Sequence, residues 1–493
     1  MEALATTAGS VPTSGNTTAQ APALPPGPRL PRALQAVMWG LRYPQFTQAA
    51  HVRYGRTFTI RAGTYPPAVV TTDRDAIRRL FTGDPLGKRH GNEPLKPMIG
   101  DRSVLLLEPA AHLERRKLLL PPFHGERVRA YTQLMQSLVD AELDNWREGR
   151  VVTVRAVAQN LTLEIILQAV LGIAEPVMRR QLRELIDDLV GYPLNGLRRR
   201  LDGRFRPRRG PGSARGRLPE LAAALAGLPT PAVATYFPEL KTRTRWNALS
   251  WRWWTLYDQL LGLLDEQIAT TRADPQLAER SDILAMLVQA RDERGNGFAD
   301  EDLRDELVAL IAAGHETTAT AIAWGAQLLA HNPPVRERAA RAAADGDGDY
   351  LDALVKEVLR VRPPLPLAAG RVLYEPFEIG PHTIPAGVHI FIDSWGLHHD
   401  PALYPDPDNF RPERFIGQAP EPYTWLPFGG GAHRCIGAGL AELEIKTALA
   451  SILRRIDLQP AAPAPEFPIR RAVTLVPHQG GRVKVATTLR SST

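Results

Sequence analysis

The spacing of apolar and polar residues predicts a mainly helical protein with a small strand portion. Apolar residues three and four positions apart dominate the C-terminal two thirds of the chain, as expected for amphipathic helices. The longest such pattern covers about residues 299–331, which corresponds to about 50 Å of helix at the usual rise per residue. Residues 161–171 predict a further, buried helix.

Strand patterns are short and lie between turn residues. Residues 57–61 and 67–72 are rich in β-branched residues and predict a strand pair, and Asp73 is placed to cap a helix directly after it. Residues 82–104 predict a loop rich in glycine and proline. Residues 371–374 and 384–392 predict strands around a Pro-Ala-Gly turn, and residues 473–476 and 482–485 predict a C-terminal hairpin.

The middle of the long helical pattern contains residues that disfavour a helix. From Ala313 it reads Ala-Gly-His-Glu-Thr-Thr, so a glycine, a carboxylate and two β-branched residues interrupt the apolar stripe. Breaks of local rules are expected at functional sites. The hydroxyl of Thr317 can donate to the carbonyl of Ala313, which would open the helix. A kinked structural helix explains the same residues, so the pattern alone leaves both interpretations open.

The only cysteine, Cys435, lies in a glycine-rich stretch that runs from Phe428 to Gly437. A strong helix-forming pattern follows Gly437, which places Cys435 between a glycine loop and a helix N-terminus. Backbone N–H groups and the helix dipole favour a thiolate there, so Cys435 is a candidate single metal ligand. The alternative is a buried thiol in a glycine-rich turn, since most lone cysteines behave in that way.

Two further pairs of polar residues have helical spacing. His112 and Arg116 lie four residues apart and share a helix face, which suits an anionic ligand such as a carboxylate. From the spacing alone, a solvated basic helix face explains this pair better. Glu357 and Arg360 lie three residues apart, a spacing that commonly stabilises the surface of a helix.

Composition constrains the compartment. With 44% hydrophobic residues the chain can form a large core, and a single cysteine excludes an internal disulfide and points to a reducing compartment. No run of about twenty apolar residues occurs, so we expect no transmembrane anchor and a soluble, cytoplasmic protein. Residues 1–30 predict a tail that is first disordered and then proline-rich.

The net charge of +7 is concentrated in one segment. Residues 197–217 contain nine arginines and one aspartate, so the rest of the chain is close to neutral. Such a segment can bind nucleic acid or an anionic membrane surface. Because it contains only one aromatic residue, a solvated insertion is the favoured interpretation, and nucleic-acid binding is not expected.

Four motifs occur in the order found in one known family and extend over about residues 25–485. Phe428, Gly431, His433, Cys435 and Gly437 fit F-x-x-G-x-[HR]-x-C-x-G. Residues 313–317 fit A-G-x-[DE]-T, Glu357 and Arg360 fit E-x-x-R, and residues 412–415 read PERF. The chain therefore resembles the cytochrome P450 family. The resemblance implies the cytochrome P450 fold, mainly α with a small β portion, in a single haem domain of residues 31–493 with residues 197–217 inserted in its lid region.

The resemblance also implies the site residues. Cys435 would be the proximal iron ligand of haem b, and Glu316 and Thr317 would manage proton delivery during oxygen activation. The basic residues that hold the haem propionates would be His112, Arg116, Arg371 and His433. A buried ion network of Glu357, Arg360 and Arg414, with Arg411 as the alternative to Arg414, would hold the cysteine loop in place. The residues lining the substrate pocket would be Ala309, Leu310, Ala313, Leu365, Leu367 and Ala368, with the tip of the C-terminal hairpin in contact with substrate.

The implied reaction is insertion of one atom of O2 into an apolar organic substrate. Electrons would come from a separate ferredoxin-type protein or flavoprotein, and Arg115, Arg116 and Lys117 suggest that this donor is acidic. Other classes stay open: a peroxide-driven peroxygenase, a non-catalytic haem-thiolate sensor, and a nucleic-acid-binding protein that uses the arginine-rich segment. Fatty acids, terpenes, steroids and polyketides all fit an apolar pocket, so the sequence does not select a substrate.

Overall fold

The computed structural model describes residues 24–63, 65–83, 88–190, 248–471 and 473–488. The arginine-rich segment of residues 197–217 and the tail up to residue 23 lie outside the described residues. Among the helices within these ranges, none combines the length and the apolar character needed to span a bilayer. The architecture is mainly helical with small sheets, which confirms the predicted fold class.

Helices account for most of the described chain. The α-helices are α1 (Arg32–Leu41), α2 (Tyr43–Tyr54), α3 (Arg74–Thr82), α4 (Lys96–Ile99), α5 (Pro109–Leu119), α6 (Glu126–Ala130), α7 (Thr132–Leu143), α8 (Val154–Ile165), α9 (Pro176–Val190), α10 (Ala248–Arg272), α11 (Ile283–Gln289), α12 (Asp300–His331), α13 (Pro333–Asp345), α14 (Gly348–Val361), α15 (Ser394–His398) and α16 (Ala438–Arg455). A π-helical turn, Ile166–Val170, continues α8, and short 3-10 turns cover Glu93–Leu95, Pro121–Phe123, Leu277–Glu279, Pro412–Phe415 and Gly431–His433.

The strands are short, as their sequence patterns predict. They are β1 (Thr57–Ile60), β2 (Ala68–Thr71), β3 (Lys88–His90), β4 (Val151–Thr153), β5 (Leu367–Leu373), β6 (Phe377–Ile379), β7 (His382–Ile384), β8 (His389–Asp393), β9 (Ile456–Pro460), β10 (Pro468–Arg471), β11 (Thr474–Pro477) and β12 (Arg482–Thr488). Within the described residues they form a five-stranded sheet of order β1-β2-β8-β5-β3, a three-stranded sheet of order β4-β12-β9, and the pairs β6-β7 and β10-β11.

The N-terminal sheet agrees with the sequence pattern in most respects. Strands β1 and β2 pair antiparallel with Thr57 opposite Thr71, and Asp73 caps α3 by accepting from the backbone N–H of Ala76. The proline-rich residues before α1 are attached to this sheet, since the Thr59 hydroxyl donates to the carbonyl of Pro25 over 2.7 Å. Residues 82–104, predicted to be a loop, also contain β3 and α4.

Helix α12 is the element around which the two largest core clusters meet. Leu307 and Ile311 in its first half belong to one cluster, and Trp324 in its second half belongs to the other. Residues 318–330 are buried on every side. Small side chains permit this packing: a Cβ added at Gly325 would lie 2.7 Å from Leu449 of α16. The long helix is therefore fixed in position by close contact with its neighbours.

The predicted C-terminal hairpin is wrong in its pairing. Strand β11 pairs with β10, whereas β12 pairs with β4 and β9 in another sheet. The carboxylate of Glu466 accepts hydrogen bonds from the backbone N–H groups of Gln479, Gly481 and Arg482. These donors of the turn after β11 are satisfied by a distant side chain, and the chain passes from one sheet to the next. The hairpin tip therefore lies between β10 and β11.

Candidate active site

The cysteine loop packs against the end of α3 and the start of β5. The backbone N–H of Cys435 donates to the carbonyl of Phe428 over 2.9 Å, which closes the loop. Gly431 has a φ of +62°, and a Cβ there would lie 2.5 Å from the carbonyl oxygen of Phe81, so glycine is required. A Cβ at Gly429 would lie 3.0 Å from the carbonyl oxygen at the second residue of β5. The glycines thus permit the packing that positions Cys435.

Cys435 precedes α16 instead of lying in its first turn. Burial raises the pKa of its thiol, while the N–H of Gly437 and the charges of Arg116 and Arg434 act in the opposite direction. Burial of the sulfur thus opposes the predicted preference for a thiolate in the protein alone. A metal that binds the sulfur displaces its proton. An added Cβ at Gly437 would meet no atom within 4 Å, so a bound group has room to approach this backbone.

The middle of α12 and the cysteine loop both carry exposed residues beside buried ones. Ala312 and Ala313 are exposed, although the helix is buried on both sides of them. Leu310 of α12 and Ile436 of the cysteine loop pack against the same core cluster. Cys435 is also exposed although its sulfur is desolvated, as expected for a side chain on the wall of a deep cavity. Residues from two segments that lie far apart in the chain therefore pack against one core cluster.

The predicted pocket residues differ in their exposure. Ala313 is exposed, and the partly buried members of the set are Leu310, Leu365, Leu367 and Ala368. Ala309 is 5% exposed, so it lies within the helix packing and not on an open wall. Leu367 and Ala368 begin β5, the strand that contacts the cysteine loop. Of the predicted pocket residues, Leu367 and Ala368 thus lie on the strand that contacts the cysteine loop.

Thr317 and Glu316 make different contacts. The Thr317 hydroxyl donates to the carbonyl of Ala313 over 2.6 Å, as the sequence predicts, and α12 runs through this point without a break. The Glu316 carboxylate accepts hydrogen bonds from Arg155 at 2.5 Å and from Gln159 at 2.7 Å, both on α8. Sequence reasoning missed these two partners. The one signal in the sequence was a cationic residue on the amphipathic helix α8.

The four basic residues predicted to hold an anionic group include two that are in direct contact. The rings of His112 and His433 stack with their centroids 4.0 Å apart. Arg116 lies close enough to Cys435 for each charge to affect the pKa of the other group. Arg371 on β5 is 4% exposed, and burial lowers its pKa to about 10. Within the described residues, no carboxylate lies within ion-pair distance of Arg371.

This arrangement of charges fits a particular kind of ligand. A buried guanidinium without a carboxylate partner is unfavourable, since no opposite charge offsets its desolvation. Carboxylates on a bound group would supply that partner, and a metal in the same group would be ligated by the lone thiol. The residues present therefore fit haem b, which combines an iron with two propionates.

Glu357 and Arg360 of α14 form a fully buried ion pair and not the more common surface pair. Both side chains are 0% exposed, and Arg360 Nε lies 2.7 Å from the Glu357 carboxylate. Arg414 Nε lies 3.4 Å from the same carboxylate, whereas Arg411 contributes its backbone N–H at 2.9 Å. Arg360 also donates to the carbonyl of His398. The network connects α14 to the segment that precedes the cysteine loop.

One residue predicted to attract an electron donor is turned inward. Arg115 pairs with Asp302 at 2.9 Å and with Glu306 at 3.2 Å, both on α12. Lys117 forms an exposed pair with Glu293 at 3.2 Å. The basic stretch of α5 is therefore partly neutralised within the protein. Spacing along α5 cannot reveal this, because the carboxylates come from elements distant in the chain.

The fold and the site together define a haem-thiolate protein. The family model described as Cytochrome P450 matches residues 250–485. The chain is 36% identical to cytochrome P450 135B1 of Mycobacterium bovis over 474 residues, with 94% of this chain and 92% of the relative covered. It is 33% identical to cytochrome P450 137 of Mycobacterium tuberculosis, with 93% and 90% covered. The solved structure titled "Retinoic acid bound cyanobacterial CYP120A1" has a TM-score of 0.75 at 21% identity and covers 95% of this chain and 100% of that chain.

The chain belongs to the cytochrome P450 family. It is thus an oxidoreductase of the monooxygenase class with haem as its cofactor.

Replacing Arg371 by methionine is expected to have opposite effects on the haem-free and haem-loaded protein. The haem-free protein should gain about 1–3 kcal/mol of stability to urea, because a buried charge without a partner is removed. Haem transfer to an excess of apomyoglobin should become about tenfold faster or more, because a partner for the carboxylates is lost. Arg362→Met is the control, since Arg362 is also buried but stacks on Trp324 and Trp395. Equal haem transfer rates for the two variants would contradict the assignment of Arg371.

Proposed function

We propose that this cytochrome P450 inserts one atom of O2 into an apolar organic small molecule and releases the other as water. Electrons come from a separate ferredoxin-type protein or flavoprotein. The observation that most supports this proposal is that Leu310 of α12 and Ile436, next to Cys435, pack against the same core cluster, with Ala313 exposed one turn before Thr317 on α12.

The residues around Cys435 hold the cofactor. Bound haem supplies the iron at which dioxygen is activated. Cys435 ligates it through Sγ, and the glycines at 431 and 437 let the loop backbone approach closely. The N–H of Gly437 moderates the charge on the sulfur. The four basic residues that bind the carboxylates of the group are His112, Arg116, Arg371 and His433.

Thr317 and Glu316 handle protons in this proposal. The Thr317 hydroxyl donates a hydrogen bond to the Ala313 carbonyl. Its oxygen can therefore accept a hydrogen bond in the site. Glu316 lies next to it and acts as the acid. Arg155 and Gln159 orient the Glu316 carboxylate from α8 through their hydrogen bonds.

Thr317→Ala is expected to uncouple electron use from product formation. Product formed per electron should fall about tenfold or more, since the hydroxyl that positions the proton is lost, and hydrogen peroxide should account for the missing electrons. The assay reconstitutes the enzyme with a surrogate ferredoxin and its reductase, and uses a compound found by a spectral binding screen. Thr320→Ala, one turn further along the buried part of α12, should leave the ratio unchanged.

Three outcomes of these assays would overturn parts of the proposal. Undiminished product per electron in Thr317→Ala would contradict the role of this hydroxyl. Turnover with peroxide alone, as efficient as turnover with a reductase, would indicate a peroxygenase. Absence of oxygen consumption, when bound apolar compounds and electrons are both supplied, would indicate a sensor.

We assign residues 31–493 to a single haem domain, and we propose a reducing, cytoplasmic location, which the single cysteine supports. The electron donor would dock near Arg434, which is exposed and adjacent to Cys435. A cationic residue there favours a donor with an acidic surface. Arg116 adds positive charge to the same face. Arg115 does not, because Arg115 is paired with Asp302 within the protein.

A further inference from the structure

Arg471 lies at the tip of the β10–β11 hairpin. Its position in β10 is opposite Thr474 in β11, so the two residues flank the turn. Two hydrogen bonds attach the hairpin to its neighbours. Trp324 Nε1 of α12 donates to the carbonyl of Leu475 over 2.9 Å. The Leu475 N–H donates to the carbonyl of Pro364, shortly before β5, over 2.7 Å. The tip is thus held beside α12 and the segment that leads into β5.

Arg471 is partly buried, and its side chain lies on the face of the hairpin directed at α12. Alternate residues of a strand point to opposite faces, and Arg470 stacks over Trp39 and Tyr43 on the side of α1 and α2. Arg471 therefore points towards α12. Its charge affects the pKa of His315 and is itself affected by Glu316 and Arg155, so it lies near the turn of α12 that carries the predicted catalytic pair.

Arg471 has no counter-charge of its own. Within the described residues, its guanidinium makes no hydrogen bond and no ion pair. Burial lowers its pKa, although an arginine stays charged. A desolvated cation in this situation is unfavourable until an anion binds it.

The neighbouring charges do not neutralise Arg471. On α12, the Glu316 carboxylate is already bonded to Arg155 and Gln159 of α8. His315, also on α12, has its pKa lowered by burial and is neutral at pH 7. The guanidinium groups of Arg155 and Arg471 therefore share the carboxylate of Glu316. These three side chains together carry one positive charge in excess. The basic residues assigned to haem lie on other elements, α5, β5 and the cysteine loop, so the excess charge does not belong to that set.

We propose that Arg471 binds a carboxylate of the substrate, so that the substrate of this enzyme is an amphipathic acid with an apolar body and one anionic group. This inference rests on the proposed function and narrows its substrate class. The apolar body lies against Leu310 and Ala313, and the carboxylate lies at the hairpin tip. A charge-assisted hydrogen bond in a desolvated site is strong enough to select an acid over its neutral analogue.

Matched pairs of fatty acids and their methyl esters, from octanoate to hexadecanoate, test this proposal on the haem-loaded enzyme. An apolar pocket without a cation prefers the ester, because a carboxylate loses its hydration on entry. We expect the wild-type enzyme to bind at least one acid about tenfold more tightly than its ester, by calorimetry and by spectral titration. Arg471→Gln should weaken binding of the acid about 10–100-fold and leave binding of the ester within about threefold.

Two further variants separate charge recognition from structural damage. Arg471→Lys keeps the positive charge and should retain most of the acid preference. Arg470→Ala removes the neighbouring arginine on the other face of the strand and should retain all of it. The proposal is wrong if the wild-type enzyme binds no acid of the series, if it binds acids no better than esters, or if Arg471→Gln keeps the preference. None of these results would alter the thiolate spectrum or the coupling ratio of Thr317→Ala, which test the proposed function separately.

Discussion

Cys435→Ala is expected to remove the red-shifted carbonyl band of a thiolate-ligated haem and to reduce substrate oxidation to background. The chain has no other cysteine, so no second thiolate can replace the ligand. The loop itself should survive, because its contacts are made by backbone and glycines, including the bond from residue 435 N–H to Phe428. The carbonyl difference spectrum of the reduced protein measures the first effect, and product formation measures the second.

A control variant shows whether the loss is specific to the sulfur. Cys435→Ser has nearly the same size, so it should retain the fold and the far-ultraviolet circular dichroism while losing the same band. Persistence of the thiolate band in either variant would contradict the assignment of Cys435 as the haem ligand. It would also remove the basis for the proposed roles of the surrounding basic residues.

Breaking the buried ion pair of Glu357 and Arg360 is expected to be the most damaging change outside the cavity. Each of Glu357→Gln and Arg360→Met should cost about 3–5 kcal/mol in the free energy of unfolding, because one charge would stay buried without its partner. Both side chains are 0% exposed, so water cannot compensate. Urea unfolding monitored by circular dichroism gives the stability, and the haem absorption of the same samples shows whether the cysteine loop is retained.

The double variant separates the pair from the individual residues. Glu357→Gln with Arg360→Met should cost less than the sum of the single changes, since neither member of the pair is left as a buried charge and only Arg414 loses a partner. Asp352→Ala is a matched surface control, because Asp352 pairs with Lys446 on helices α14 and α16 but is 52% exposed. It should cost less than about 1 kcal/mol. Strict additivity in the double variant would show that the two residues do not act as a pair.

Much of the fold could be predicted because its signals are local. Apolar spacing predicts α12, which runs from Asp300 to His331, within a residue at each end. The cap by Asp73 and the bond from Thr317 to Ala313 involve residues three and four apart, so the same residues determine them wherever the helix packs. The cysteine motif is similarly local. Its glycines are visible in the sequence, and glycine is the residue expected where the backbone has a positive φ.

Contacts between distant segments could not be predicted in this way. The pairing of β11 with β10, and not with β12, depends on which strands the core brings together. Arg115 has the same sequence neighbourhood whether it faces solvent or Asp302, and only the packing of α5 on α12 decides. The pKa of the Cys435 thiol shows the same limit, because a helix N-terminus favours a thiolate whereas burial by the whole fold raises its pKa.

The sequence by itself determined the family and the order of the motifs, because these depend on residue types at short, fixed spacings. The tertiary structure alone decided which charges are paired. Glu316 is held by Arg155, whereas the buried Arg371 and the partly buried Arg471 have no carboxylate within ion-pair distance among the described residues. The physical reason is that pairing and desolvation depend on distances through space between elements far apart in the chain. No spacing along the chain contains that information.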